Sequence, residues 1–170
     1  MSWVHIHLFL NHVPVIGIYG AALVLAVGIV RRSQEVVRVG LGLIVLVAAA
    51  AVVVYLTGEP AEHLVRRLPG ISRTAVEAHE QAAFAATAVL TLLGIGAAAG
   101  LLMYRGAARV PRWFAASALA LSVVAAAMMT WNAGLGGQIR HSEIRQESAL
   151  PALEQQAHPQ PGELEETQGR

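Results

Sequence analysis

The chain reads as an all-α integral membrane protein, a bundle of four transmembrane helices in up-down-up-down order. Three observations predict this. Of 170 residues, 55% are hydrophobic and only 14% charged, with a mean hydropathy of +0.54. Four apolar runs follow one another: Val13 to Val30, Val36 to Leu56, Ala82 to Tyr104 and Trp113 to Leu135. Each approaches or exceeds the ~20 helical residues that cross a ~30 Å hydrocarbon core. The basic residues between the runs are asymmetric. "RRSQEVVR" and "RGAARVPR" carry six arginines against a single acid, Glu35. Such a bias puts both short turns in the cytoplasm and both chain termini outside.

The first span, about 5–30, opens with "WVHIHLFLNHVPVIGIYG". No arginine precedes Arg31 and lysine is absent, so the basic start of a cleaved signal peptide is missing and the span is expected to be retained. The second span covers about 36–57. Gly58 is expected to end it as a C-cap, and Pro60 to open a short interfacial helix over 60–67. "LPG" at 68–70 is a turn signal, and Thr74-x-x-Glu77 matches a capping box that starts the third span, about 74–104. The fourth span is about 112–137. Residues 1–145 thus form one membrane domain. The tail, 146–170, is polar, holds Pro151, Pro159 and Pro161, and is expected to be disordered. Glycines such as Gly40, Gly42 and those of "GIGAAAG" (94–100) allow close helix approach. The only internal symmetry apparent is one of hydropathy, two hairpins joined by the outer loop.

With no cysteine, disulfides, thiolate metal sites, iron–sulfur clusters and haem attached through Cys-x-x-Cys-His are excluded. No catalytic motif or phosphate-binding glycine loop is present, so no catalytic residue is assigned and nothing argues for an enzyme. Neither a strongly basic patch nor an aromatic ladder points to nucleic acid.

The histidines carry the functional signal. His5, His7 and His12 begin the first span, His63 follows the second, His79 precedes the apolar part of the third, and His141 follows the fourth. The topology brings all six to the outer end; His158 lies in the tail. At ~1.5 Å per residue from the inner arginines, one layer holds His5 or His7, His63, His79, Glu80 and His141. A deeper layer holds Asn11, His12, Glu59 and Asn132. Polar residues at membrane depth usually face the bundle interior and mark function.

Two chemistries fit. Facing helices can supply a bis-histidine site for b-type haem. His12 of the first span against His79 of the third is the expected pair, because these spans are diagonal in a simple bundle. His5, His7, His63 and His141 are further candidates, and Gly134, Gly136 and Gly137 give a porphyrin space. Alternatively His12, His79 and His141, with Glu59 and Glu80 as carboxylates, hold a Zn, Cu or Fe ion. Asn11, Asn132 and Gln138 are expected supporting hydrogen-bond partners. A third possibility is a structural subunit of a membrane complex. The expected partners are the lipid bilayer and, for a haem protein, other membrane or periplasmic redox proteins.

"HLFLNHVP" (His7-x4-His12-x-Pro14), "LTGEPAEH", "EAHE" and "GLGGQIRHSEI" (Gly136-Gly137-x3-His141) resemble a family of small bacterial four-helix membrane proteins grouped as a domain of unknown function. The similarity spans about residues 5 to 145. The resemblance implies four spans, a bacterial inner-membrane location and weight on His7, His12 and His141. It implies no particular activity, with haem or metal as the suspected ligand class.

Overall fold

The computed structural model describes residues 3–66, 71–106 and 109–140. It contains five helices among them: α1 (Trp3–Leu10), α2 (His12–Val30), α3 (Gln34–Val65), α4 (Arg73–Met103) and α5 (Arg112–Arg140). Four stretches are long and apolar enough to cross a membrane: His7–Val30, Gln34–Gly58, Arg73–Met103 and Arg112–Ile139.

α1 and α2 are one span interrupted at Asn11. The interruption follows from Pro14, which has no N–H to give the Leu10 carbonyl and crowds it. The Asn11 N–H still reaches the His7 carbonyl at 2.9 Å, so the chain bends without unwinding. α2 ends in a compact turn. Arg32 adopts φ 54°, its N–H bonds to Ile29 O at 3.2 Å, and the Ser33 N–H bonds to Gly28 O at 3.0 Å. This is a Schellman closure with arginine where glycine is usual. Ser33 then caps α3, its Oγ accepting from the Val36 N–H at 3.4 Å.

Two expected boundaries differ. The apolar stretch ends at Gly58, but the helix does not, and no separate helix starts at Pro60; α3 runs through both to Val65. Gly58 is used for close approach instead, since the His7 imidazole rests where its side chain would be. The capping box at Thr74 is not the start of the third span. Ser72 caps α4 two residues earlier, its Oγ accepting from the Ala75 N–H at 3.3 Å and lying 2.8 Å from Thr74 Oγ1. The "LPG" turn, and the tail with His141 and His158, lie outside the described residues.

The helices form a ring. α2 packs on α3 and α5, α4 packs on α3 and α5, and α2 and α4 face each other without contact among the described residues. α1 leans on α3. The core is small-residue packing around Ile18, Leu25, Leu41, Ile44 and Leu90. The buried Ser122 hydroxyl is satisfied by the Ala118 carbonyl at 2.7 Å. The exterior is apolar as well: Ile16, Leu23, Leu46 and Leu92 are each about two-thirds exposed.

The burial pattern repeats. α2 buries Pro14, Ile18, Ala21, Leu25 and Gly28; 72 positions on, α4 buries Ala86, Leu90, Leu93, Ala97 and Gly100. α3 buries Val37, Gly40, Ile44, Val47, Ala48 and Ala51; 78 positions on, α5 buries Ala115, Ala118, Ser122, Ala125, Ala126 and Met129. Of the six-residue difference, five residues lie in the longer α4–α5 turn and one in the longer end of α4. The bundle is therefore two similar helical hairpins facing each other as parallel repeats. Two bonds tie the turns together: Arg38 Nη2 donates to Tyr104 O at 2.9 Å, and the Val110 N–H donates to Gln34 Oε1 at 2.7 Å.

Candidate functional site

The end of the bundle away from these turns carries the histidines. His7, on α1, donates its Nδ1–H to the Val54 carbonyl of α3 at 3.1 Å, with Thr57 Oγ1 3.4 Å from the same nitrogen. The buried Thr57 hydroxyl donates to that same carbonyl at 2.8 Å. A Cβ on Gly58 would lie 3.3 Å from His7 Cε1, so the ring is seated against bare backbone.

His79, on α4, is built the same way. Its Nδ1–H donates to the Asn132 carbonyl of α5 at 3.1 Å, and a Cβ on Gly136 would lie 3.1 Å from its Cε1. In each half the imidazole meets a carbonyl and, one turn further along the same helix, a glycine. The pairs obey the same displacements as the core: His79 follows His7 by 72 positions, and Asn132 and Gly136 follow Val54 and Gly58 by 78. An Nδ1–H held by a carbonyl fixes the neutral tautomer, with Nε2 as the lone-pair nitrogen. That is the usual way a ligating histidine is oriented.

The side-chain Oδ1 atoms of Asn11 and Asn132 are buried and have no hydrogen-bond partner among the described residues. Leaving a buried acceptor unmet costs about 1–3 kcal/mol. Asn11 is one turn from His7, and Asn132 is the residue whose carbonyl holds His79. Each imidazole thus has an unmet amide oxygen nearby in sequence or contact.

The other candidates sort by face. His5 and His12 are both exposed. They lie seven residues apart on one helical face, whereas His7, five before His12, points well away from it at ~100° per residue. The face that α1 turns to α3 is that of His7, so of the two it is His7 and not His12 whose ring lies against a neighbouring helix. Glu80 is exposed and pairs with Arg66 at 3.5 Å, beside a longer Arg66–Glu77 contact of 3.9 Å. His63 lies in the last turns of α3, but its side chain, like that of Glu59, is outside the described set. Gln138 is half-buried. Nothing lies within 4 Å of where a Cβ on Gly134 or Gly137 would stand, so both border open space; it is Gly136 that touches a histidine. Among the described residues no three or more His or Glu side chains gather closely enough to hold a metal ion.

Sequence reading missed Val54 and Thr57, and read Gly58 only as a helix end. The shared displacement of the pairs His7/His79 and Gly28/Gly100 was the available signal, but two pairs in an apolar chain do not stand out without the burial pattern.

Fold and site together define a class: a helical bundle with four helices able to span a membrane and a backbone-anchored imidazole in each half. No protein-family model matches the chain, and no curated protein or solved structure matches it. The resemblance to small bacterial four-helix proteins rests on the motifs that carry it.

Proposed function

We propose that the chain lies in a bacterial inner membrane, crosses it four times with its arginine turns in the cytoplasm, and binds b-type haem at the outer end through His7 and His79. The apolar exterior supports the membrane placement, because a soluble monomer does not carry so continuous an apolar surface. The arginine asymmetry supports the orientation. One observation carries the ligand reading: two half-buried imidazoles, one per half, each with Nδ1–H given to a carbonyl of the neighbouring helix. Haem asks the protein for two axial ligands, and bis-imidazole iron supplies a one-electron couple suited to electron transfer or redox sensing. Asn11 and Asn132 offer buried acceptors near the imidazoles in sequence or contact. The redox partner is then a membrane or periplasmic protein.

The test is the absorption spectrum of protein purified in detergent from haem-replete cells. A Soret band with sharp reduced α and β bands is expected, lost in both His7→Ala and His79→Ala and kept in His12→Ala. A spectrum unchanged in the first two variants overturns the assignment. Reporter fusions after Arg32 and Arg109 should behave as cytoplasmic, and fusions after Gly70 and Gly162 as external.

A second reading has an observation of its own. The same two Nδ1 bonds cross between helices, so the histidines act as latches in a structural subunit. That reading expects a colourless protein whose two histidine variants lose thermal stability alone.

A further inference from the structure

The two halves part company at the arginine end. In the first half Leu25 lies against Gly40 so closely that a Cβ on Gly40 would be 2.8 Å from Leu25 Cα. The equivalent residues of the second half are Ala97 and Ala118, and the Phe114 ring is wedged onto Gly100. α4 and α5 leave a cavity of about 470 Å³ between them, lined by Leu92, Leu93, Gly96, Trp113, Ser117 and Leu121 among others. Leu92, Trp113 and Leu121 are exposed, so the groove opens sideways onto the apolar exterior rather than into the bundle. Its size is that of a site for a small apolar ligand.

The turn that follows the groove at its Trp113 end is basic. Trp113 follows Arg112 directly, and Arg105, Arg109 and Arg112 are all exposed in and beside the α4–α5 turn. No acid occurs between Tyr104 and Trp113. The position equivalent to Trp113 in the first half is Glu35, and there Leu25 and Gly40 stand in close contact.

We propose that the α4–α5 groove binds an anionic glycerophospholipid, with one acyl chain between the helices and the phosphate among Arg105, Arg109 and Arg112. An apolar slot open to hydrocarbon fits the chain, and three arginines at its end fit the headgroup. The indole of Trp113 belongs at the level between them. This inference rests on the membrane placement proposed above and is independent of haem.

Native mass spectrometry of the full-length protein tests it, using phosphatidylglycerol and phosphatidylcholine with identical acyl chains. One phosphatidylglycerol should be retained in preference to phosphatidylcholine. Arg109→Gln with Arg112→Gln should erase the preference, by roughly fivefold per arginine. Gly96→Leu should expel the lipid by filling the slot, and the fold should accept it because nothing lies within 4 Å of that Cβ. Gly20→Leu, at an equally open position of the first half, should change nothing. Equal retention of the two lipids by the unaltered protein, or full retention by Gly96→Leu, overturns the site. Quenching of Trp113 by brominated-chain phosphatidylglycerol, read against Trp113→Phe, is a second measurement that does not depend on the glycine variant. Absence of lipid selectivity in a protein whose fusions still report four spans counts against this site alone.

Discussion

The first hairpin and the second bury the same register of positions, yet they close it with different side chains. In the first, backbone meets side chain or backbone directly: a Cβ on Gly28 would stand 2.6 Å from the Val37 nitrogen. In the second, the equivalent glycine, Gly100, is filled by the ring of Phe114. The first half turns over three residues, 31–33; the second takes the eight residues 104–111. The comparison teaches that helix register is held by where small residues fall, while the residues opposite them decide whether a seam is tight or leaves a groove. In a hydrocarbon solvent, where apolar side chains gain little by leaving lipid for protein, close packing of small residues is what remains to hold helices together.

The largest effect should come from breaking the tight seam. Gly28→Ala pushes a methyl into α3 backbone that cannot swing aside, and should destabilise the bundle by about 1–3 kcal/mol. Gly100→Ala meets a ring that can rotate, and should cost distinctly less; unfolding in detergent, followed by circular dichroism, ranks the two. Equal losses would mean that the two seams are equally rigid. Next are the histidine latches. His7→Ala and His79→Ala should each lower stability by about 0.5–2 kcal/mol, the range for interhelical hydrogen bonds in membrane proteins. The two values should agree within error if the repeat is mechanical as well as geometric. Gln34→Ala, which frees the Val110 N–H, should cost about 1 kcal/mol and loosen the long turn only, seen as faster amide exchange there and not at 31–33. Arg32→Gly should be the smallest change and of opposite sign, a gain of up to about 1 kcal/mol, because glycine accepts positive φ without strain.

Span count and span limits were legible because a run of apolar residues has a length, and length alone decides whether a helix can cross a bilayer. Helix ends were less so. Gly58 and Pro60 look like punctuation in sequence, yet tertiary contact outranks them: an imidazole from α1 occupies the space that glycine leaves, and the helix continues. The polar end was legible as a set, since topology alone sends the histidines to one side. Which histidine turns inward was not, because that depends on the rotation of α1 about its axis after the Asn11 interruption. The sequence does not state how far Pro14 turns it. Gly134, Gly136 and Gly137 read alike as bare positions in sequence; only the placement of α4 against α5 reveals that Gly136 meets His79.

One bond on the outside of the bundle has a consequence for how the protein is made. The Thr130 hydroxyl donates to the Ala126 carbonyl at 2.9 Å, so in the 2.8 Å contact between Tyr19 and Thr130 it is the tyrosine that donates. Tyr19 belongs to α2 and Thr130 to α5, so Tyr19 is synthesised first. The phenol therefore waits for its acceptor through the synthesis of more than a hundred intervening residues. At the equivalent positions of the α3–α4 seam stand Val52 and Thr91, which can make no such bond. The α2–α5 seam thus holds a side-chain bond that cannot form until α5 has been made, whereas the α3–α4 seam closes on apolar contact at the matching positions.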